Sequence, residues 1–204
     1  MIHVFMVDDH SLARMALRLM IEGDGDVKVI GEASDVDMAL RMIPFSAPDV
    51  VVSDFDLGTS DGLTVTRKLL DFDPTFRVLV VSMRERGPVS RMLLAAGAMG
   101  FVSKSSPPSR VLEAVREVAR GRRYLDEALP GSTSLVARSP FDRLSARELM
   151  VIHMRLQGRD VRGIARFLKM PQAAVRALRA EAMQKLGARS HIGLTRLASE
   201  HGFI

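Results

Sequence analysis

The chain has 204 residues, of which 47% are hydrophobic and 26% are charged, and it contains neither cysteine nor tryptophan. This length allows one large domain or two small ones. The missing cysteines exclude disulfides and thiolate metal sites, and they fit a reducing cytoplasm. The N-terminus lacks the basic and apolar regions of a signal peptide, and no apolar run is as long as a membrane span. We therefore expect a cytoplasmic protein without a membrane partner.

Short β-type segments and helical patterns alternate along the first 120 residues. The predicted strands are Ile2–Val7, Val27–Ala33, Val50–Ser53, Val78–Ser82 and Gly100–Val102. The predicted helices include Leu12–Ile21, Leu63–Leu70, Val89–Ala96 and Ser109–Arg120. Five β–α units of this kind predict the α/β fold class, with a five-stranded parallel sheet that is doubly wound by helices.

A change of pattern after residue 120 predicts a second domain. Residues 121–142 have no sustained period and contain Pro-Gly and Ser-Pro pairs, which is typical of a linker. Four predicted helices follow, at Ser145–Gln157, Asp160–Leu168, Pro171–Leu186 and His191–Glu200. We therefore divide the chain into an α/β domain (1–120), a linker (121–142) and an all-α domain (143–204).

The positive charge of the chain is concentrated in this last domain. Residues 143–204 carry 12 Lys+Arg and 4 Asp+Glu, a net charge of +8, whereas residues 1–142 have a net charge of −3. A basic domain on a mildly acidic chain predicts a polyanionic partner such as double-stranded DNA.

Polar side chains stand where the predicted strands end. They are Asp8 and Asp9 after the first strand, Asp54 at the third, Ser82 at the fourth and Lys104 beyond the fifth. Ligands of parallel α/β sheets bind at the carboxyl ends of the strands, so these groups should converge. Three neighbouring carboxylates repel one another unless a cation is present, and Mg²⁺ suits such oxygen ligands. The set indicates phosphoryl transfer to a carboxylate.

The segments VDDH, SDFDLGTSDG, VVSM and GFVSK, at these spacings, resemble the receiver domain of response regulators over about residues 1–122. The resemblance implies a flavodoxin-like fold and a phosphoacceptor at Asp54. It also implies that Mg²⁺ or Mn²⁺ is held by Asp8 (mostly through water), Asp9, Asp54 and the backbone carbonyl of Asp56. Ser82 and Lys104 would bind the phosphoryl group, and Phe101 would turn inward when Ser82 moves. No enzymatic activity is implied beyond metal-dependent self-phosphorylation and autodephosphorylation.

Two residues depart from the receiver pattern. Gly58 stands where the family usually has proline, and we expect it to loosen the loop because glycine adds backbone freedom. Met83 follows the switch hydroxyl, where a small residue is common, and we expect it to change the lifetime of the phosphoryl group. His10 fits the family pattern, and a structural role is favoured for it over a catalytic one.

The segment LSARELMVIHMRLQGRDVRGIARFLKMPQAAVRALRAEAMQKLG resembles the LuxR/FixJ-type helix-turn-helix, and matches continue through HIGLTRLASEHGF. With the receiver, this order identifies the chain as a member of the NarL/FixJ family, most similar to the GacA/UvrY-type global regulators. The resemblance implies that Pro171–Leu186 is the recognition helix and that Asp160–Leu168 supports it in the major groove. The candidate DNA contacts are Gln172, Arg176, Ala177, Arg179, Lys185, Arg162 and Arg166. The candidate dimer contacts are Ile192, Leu194 and Leu197, which alternatively pack onto their own domain.

The helix-turn-helix also departs from its family pattern. Pro171, Ala174, Leu178 and Gly163 replace residues that are commonly Ser, Thr, His or Tyr, and Glu. A lost serine cap and a glycine inside a helix each cost about 1 kcal/mol, so we expect weaker or different DNA recognition.

The family resemblance implies that a sensor histidine kinase phosphorylates Asp54, which switches a DNA-binding transcription regulator, with a homodimer forming on phosphorylation or on DNA. The alternative is a phosphorylation-controlled protein-interaction module whose divergent helix-turn-helix binds no operator. A metal-dependent phosphatase is disfavoured, because Asp54, Ser82 and Lys104 form a self-modifying set without an additional general base.

Overall fold

A computed structural model describes residues 1–58, 60–83, 88–126 and 139–203 of the chain. These residues form two compact units. The first consists of Met1–Glu85 and Ala96–Ser132, and the second of Arg86–Ala95 and Thr133–Ile204. Among the described residues, no helix is long and apolar enough to cross a membrane.

The first unit contains the predicted strands together with three further short ones. The strands are β1 Ile2–Val7, β2 Val27–Ala33, β3 Val50–Asp54, β4 Asp56–Leu57, β5 Ser60–Asp61, β6 Val78–Ser82, β7 Gly100–Ser103 and β8 Tyr124–Leu125. Six of them form one sheet in the order β2-β1-β3-β6-β7-β8, and every pairing in this sheet is parallel. The predicted α/β fold class is therefore confirmed, with β8 as an additional edge strand.

Helices alternate with these strands along the chain. They are α1 Ser11–Glu22, α2 Val36–Ser46, α3 Gly62–Phe72, α4 Val89–Ala96 and α5 Pro108–Ala119. All residues of α4 except Ala96 belong to the second unit. Every residue of β3 and β6 is buried, as the apolar runs VVV and VLVV require for central strands. Core side chains of β1 and β3 share one apolar cluster with those of α1 and α5.

The linker begins later than the sequence predicted. Arg122 N–H donates to the Glu117 carbonyl at 2.9 Å, and the chain then pairs with β7 as β8. Asp126 N–H continues this pairing to the Phe101 carbonyl at 3.2 Å. Residues 121–126 therefore belong to the sheet domain, and the part of the predicted linker at 127–138 lies outside the described residues.

The second unit contains the four predicted C-terminal helices. A 3-10 helix at Pro140–Arg143 overlaps the end of the predicted linker. The helices that follow are α6 Ala146–Leu156, α7 Val161–Leu168, α8 Gln172–Lys185 and α9 His191–Glu200. Val151, Ile164 and Val175 join α6, α7 and α8 in one apolar cluster. Phe203 stacks on Phe141 with ring centroids 4.4 Å apart, which ties the end of the chain to this domain. The predicted all-α C-terminal domain is confirmed.

Two predicted helix positions need correction. Pro171 is the residue before α8 rather than a residue of its first turn, and its carbonyl accepts a hydrogen bond from Val175 N–H. Gly163 lies in the first turn of α7, where its N–H donates to Asp160 Oδ1 at 2.7 Å. A Cβ at Gly163 would lie only 3.0 Å from that oxygen. The penalty expected for a glycine in a helix interior therefore does not apply here.

Candidate functional sites

The acidic residues converge at the carboxyl ends of β1 and β3, which are neighbours in the sheet. Lys104 Nζ lies 2.8 Å from Asp8 Oδ2 and 2.8 Å from Asp54 Oδ2, so one ammonium group bridges both buried carboxylates. A backbone hydrogen bond fixes the position of Lys104. Its N–H donates to the Ser82 carbonyl, which extends the pairing of β6 and β7. The structure thus brings together residues up to 96 positions apart, as predicted from the strand ends.

Burial and charge set the electrostatics of this site. Burial raises the pKa of Asp54 above the ordinary carboxyl value, although hydrogen bonding to Lys104 opposes the increase. Burial lowers the pKa of Lys104, but its bonds to Asp54 and Asp8 outweigh this effect and the pKa is raised. Lys104 therefore stays protonated and available to hold an anionic group beside Asp54.

The donor set fits a divalent cation. One ligand atom from each of Asp8, Asp9, His10 and Asp54 lies within 4.8 Å of the others. Three carboxylates and one ammonium leave a net charge of −2, which a divalent ion balances. Among the described residues this group does not contain the Asp56 carboxylate, and the contribution of the Asp56 carbonyl stays a prediction.

A hairpin formed by β4 and β5 follows Asp54, and Gly58 lies in its connection with φ of +60°. Glycine adopts this left-handed conformation without steric cost, whereas proline is fixed near −65°. Our expectation that Gly58 merely loosens the loop was incomplete, because the glycine permits a different turn. A Cβ there would lie 3.4 Å from Asp9 Oδ2, so the hairpin borders the acidic site.

Asp61 and Gly62 fix the loop that follows Asp54, a role that the sequence did not reveal. Asp61 Oδ1 caps α3 by accepting from Thr64 N–H at 2.8 Å. Gly62 N–H donates to the Phe55 carbonyl, and a Cβ at Gly62 would lie 2.8 Å from the Asp54 carbonyl oxygen. The DG pair at the end of SDFDLGTSDG therefore lets α3 begin directly against Asp54.

The predicted switch residues lie on adjacent strands. Ser82 and Phe101 are both buried, and Phe101 pairs in register with Val80 on one side and with Leu125 on the other. Met83 is largely exposed beside Ser82. Phe101 is already buried in this structure, and its turning inward with Ser82 remains a prediction.

The candidate DNA contacts lie on α7 and α8. Arg162, Arg166, Gln172, Arg176 and Ala177 are exposed, and Arg179 is half-buried. Arg176 donates to Gln172 Oε1 at 3.3 Å, which places these two side chains on one face of α8. A cleft between α7 and the start of α8 is lined by Arg162, Arg166, Lys169 and Gln172. Pro171 provides no side-chain cap for α8, as the sequence implied.

Two predicted contacts have partners within the domain. Lys185 Nζ lies 2.7 and 2.9 Å from the two carboxylate oxygens of buried Glu148 on α6, so this ammonium already binds an acceptor. Leu194 is buried in its own domain, which is the alternative that we considered for this helix. Leu197 is half-buried, and Ile192 is 83% exposed.

Comparisons with known proteins identify the family. A model of the response regulator receiver domain matches residues 4–116, and a model described as bacterial regulatory proteins, luxR family, matches residues 142–198. The response regulator UvrY of Escherichia coli strain K12 is 32% identical over 208 residues, covering 99% of this chain and 95% of that protein. The chain is a response regulator. It belongs to the family that joins a receiver domain to a LuxR-type DNA-binding domain.

Further relatives of this response regulator agree with that assignment. GacA of Pseudomonas aeruginosa is 32% identical over 210 residues, covering 100% of this chain and 98% of that protein. The resemblance to GacA/UvrY-type transcription regulators is thus confirmed. RcsB from Salmonella enterica serovar Typhimurium, solved bound to promoter rprA with BeF₃⁻, shares the fold at 24% identity, with a TM-score of 0.73 and coverage of 97% and 98%.

The response regulator ChrA, from a heme-sensing two-component system, is 30% identical, with a TM-score of 0.56 and coverage of 100% of this chain and 98% of that one. Thus relatives of known structure match both domains of the chain. The matches do not favour the alternative of a protein-interaction module.

Proposed function

We propose that Asp54 accepts a phosphoryl group from a sensor histidine kinase, and that phosphorylation switches DNA binding by the LuxR-type domain. The observation that carries this proposal is the lysine bridge, in which Lys104 lies 2.8 Å from both Asp8 and Asp54. An ammonium group in this position can keep its hydrogen bond to Asp8 while it exchanges its bond to the Asp54 carboxylate for one to a phosphoryl oxygen.

The transfer step forms one bond and breaks another. A carboxylate oxygen of Asp54 attacks phosphorus while the bond from phosphorus to the donor histidine nitrogen breaks, and the leaving imidazole keeps the bonding pair. Lys104 then neutralises a phosphoryl oxygen, and the Ser82 hydroxyl donates to another. Asp9, Asp54 and the Asp56 carbonyl would hold Mg²⁺ or Mn²⁺, with Asp8 acting through water. When bound, this ion supplies charge neutralisation to the transferring oxygens.

An apolar stripe beside the acidic site suits a protein donor. Leu12, Met15 and Leu19 are all exposed and recur at the three- and four-residue spacing of one face of α1. Because α1 begins two residues after Asp9, a kinase helix packed on this stripe would lie next to Asp54. Substituting Leu12 and Leu19 with Ala should slow transfer from the kinase and leave phosphorylation by a small-molecule phosphodonor unchanged. Equal slowing of both reactions would argue against this surface.

The basic surface of α7 and α8 is the proposed DNA interface. Arg162, Arg166 and Arg176 are exposed beside a cleft at the start of α8, where cations can hold phosphates while the helix contacts base edges. Exposed Ile192 on α9 is the proposed contact of a homodimer formed on phosphorylation or on DNA. With DNA as its partner and no cysteine, the protein is proposed to act in the cytoplasm.

Gel-shift titration of the full chain tests the coupling of the two activities. Wild type treated with a small-molecule phosphodonor and Mg²⁺ should bind DNA more tightly than untreated protein, and Asp54→Asn should not respond. Lys104→Met is the companion variant. It should still be phosphorylated on Asp54, but phosphorylation should not raise its affinity for DNA. A phosphodonor response that persists in Asp54→Asn would refute the phosphoacceptor assignment.

A further inference from the structure

The side chain of His10 is held against the acidic site by the turn that contains it. His10 N–H donates to Asp8 Oδ1 at 2.7 Å, which folds residues 8–10 back on themselves. The imidazole Nδ1 then lies 2.7 Å from Asp9 Oδ1. His10 precedes α1, but its side chain makes no hydrogen bond that caps the helix. The ring is therefore directed to the carboxylates rather than to the helix backbone.

The distances suit a ligand as well as a hydrogen-bond partner. Ligands bound at right angles to one small divalent ion, each at about 2.1 Å, lie about 3 Å apart. The separation of 2.7 Å between Nδ1 and Asp9 Oδ1 is close to this value. The four ligand atoms of Asp8, Asp9, His10 and Asp54 also lie within 4.8 Å of one another, so one ion can contact Asp9, His10 and Asp54 directly and Asp8 through water.

The two oxygens of Asp8 already accept hydrogen bonds from other groups. Oδ1 accepts from His10 N–H and Oδ2 accepts from Lys104 Nζ. Asp8 therefore supports the site through these hydrogen bonds. Asp9 and the His10 ring face each other at the more exposed side of the site. The ring is 72% exposed, so it can turn from Asp9 toward an ion without disturbing the core.

We propose that His10 is a nitrogen ligand of the divalent ion in this receiver, and that it gives the site a preference for Co²⁺ and Ni²⁺ over Mg²⁺. This inference rests on the metal site of the proposed function. Mg²⁺ favours oxygen ligands, whereas imidazole favours later first-row transition metals, whose affinities also rise along the series toward Cu²⁺. A receiver in which this imidazole joins the Asp9 and Asp54 carboxylates and the Asp56 carbonyl therefore also binds transition-metal ions.

Calorimetric titration of the full chain with Mg²⁺ and with Co²⁺ tests the proposal. His10→Ala should lower Co²⁺ affinity about tenfold or more, a loss that even outer-shell partners of metal ligands can produce. Mg²⁺ affinity should change much less. His10→Gln is a sharper variant, because its amide can still donate a hydrogen bond to Asp9 but offers no imidazole nitrogen. This variant should lose the preference for Co²⁺, as His10→Ala does.

His3→Ala is the matched control, because His3 is another exposed histidine beside an aspartate, with Nδ1 3.8 Å from Asp49 Oδ2, and it lies outside the acidic group. Electron spin echo modulation of bound Mn²⁺ gives a direct readout. Nitrogen coupling should be present in wild type and His3→Ala and absent in His10→Ala.

The outcomes separate this inference from the function on which it rests. If wild type binds Mg²⁺ and Co²⁺ but both histidine variants retain the ratio of the two affinities, His10 is not a ligand while the metal site stands. If His10→Ala lowers the affinities for both ions equally and His10→Gln restores them, His10 is a residue that positions Asp9 and not a ligand. Failure of wild type to bind either ion would overturn the metal site itself.

Discussion

Replacing Lys185 with methionine tests whether this residue contributes mainly to the stability of the DNA-binding domain. Lys185 Nζ contacts both oxygens of Glu148, whose side chain is 1% exposed, whereas that of Lys185 is 44% exposed. Removing one partner of a buried pair typically costs about 3–5 kcal/mol. Glu148 keeps a hydrogen bond from Ser145 N–H at 2.7 Å, and Lys185 is partly solvated, so we expect about 2 kcal/mol.

A second substitution should recover part of this loss. In Glu148→Gln/Lys185→Met the amide still accepts from Ser145 N–H, as glutamine does in a capping box, and no unpaired charge is buried. The coupling free energy between the two sites should be about 1–2 kcal/mol. Arg196→Met is the control, because Arg196 forms an exposed i,i+4 pair with Glu200 at 3.6 Å and should change stability by less than about 0.5 kcal/mol.

Hydrogen exchange of amides in α6 and α8 measures these effects locally. The same ion pair has a pH signature, because bonds from Lys185 and Ser145 outweigh burial and lower the pKa of Glu148. A lowered carboxyl pKa stabilises the fold above the ordinary value of about 4.3, and this stabilisation is lost as pH falls through the folded pKa. Unchanged protection in Lys185→Met, together with a loss of DNA affinity, would show that Lys185 acts on DNA and not on the fold.

Three further substitutions test the turn after Asp54, the surroundings of Ser82 and the recognition helix. Gly58→Ala should lower the free energy of unfolding of the receiver in urea by about 1–2 kcal/mol, because φ of +60° is unfavourable for alanine. An unchanged free energy of unfolding would exclude the left-handed turn. Met83→Ala should change the rate at which phosphorylated protein loses phosphate, and an identical rate would show that this side chain does not limit access. Arg176→Ala should weaken operator binding by about 1–3 kcal/mol if Arg176 contacts a base. Equal weakening for all DNA sequences, with affinity depending less on salt concentration, would indicate a phosphate contact.

The sequence predicted the elements whose own residues carry a strong pattern. The apolar runs of β3 and β6 and the spacing of apolar residues in α6–α9 correspond to buried positions in the structure. The convergence of Asp8, Asp54 and Lys104 was also predictable, because a parallel sheet places strand ends together.

The features that the sequence did not reveal depend on short elements or on distant partners. β8 has two residues and exists through its pairing with β7, so no local period marks it. Helix α2 contains Pro44, which masks a helical pattern. The partner of Lys185 lies 37 residues away on α6, so the sequence shows an exposed lysine without its ion pair, and a DNA contact of Lys185 stays a prediction.

Selection of genomic DNA by wild-type and Asp54→Ala protein, each with a phosphodonor and Mg²⁺, tests whether phosphorylation of Asp54 controls DNA binding. We expect phosphorylated wild type to recover one DNA motif and Asp54→Ala to recover none above background. Recovery of the same motif by both proteins would separate DNA binding from Asp54. Recovery of no motif by either protein would contradict the assignment of the basic helical surface to an operator.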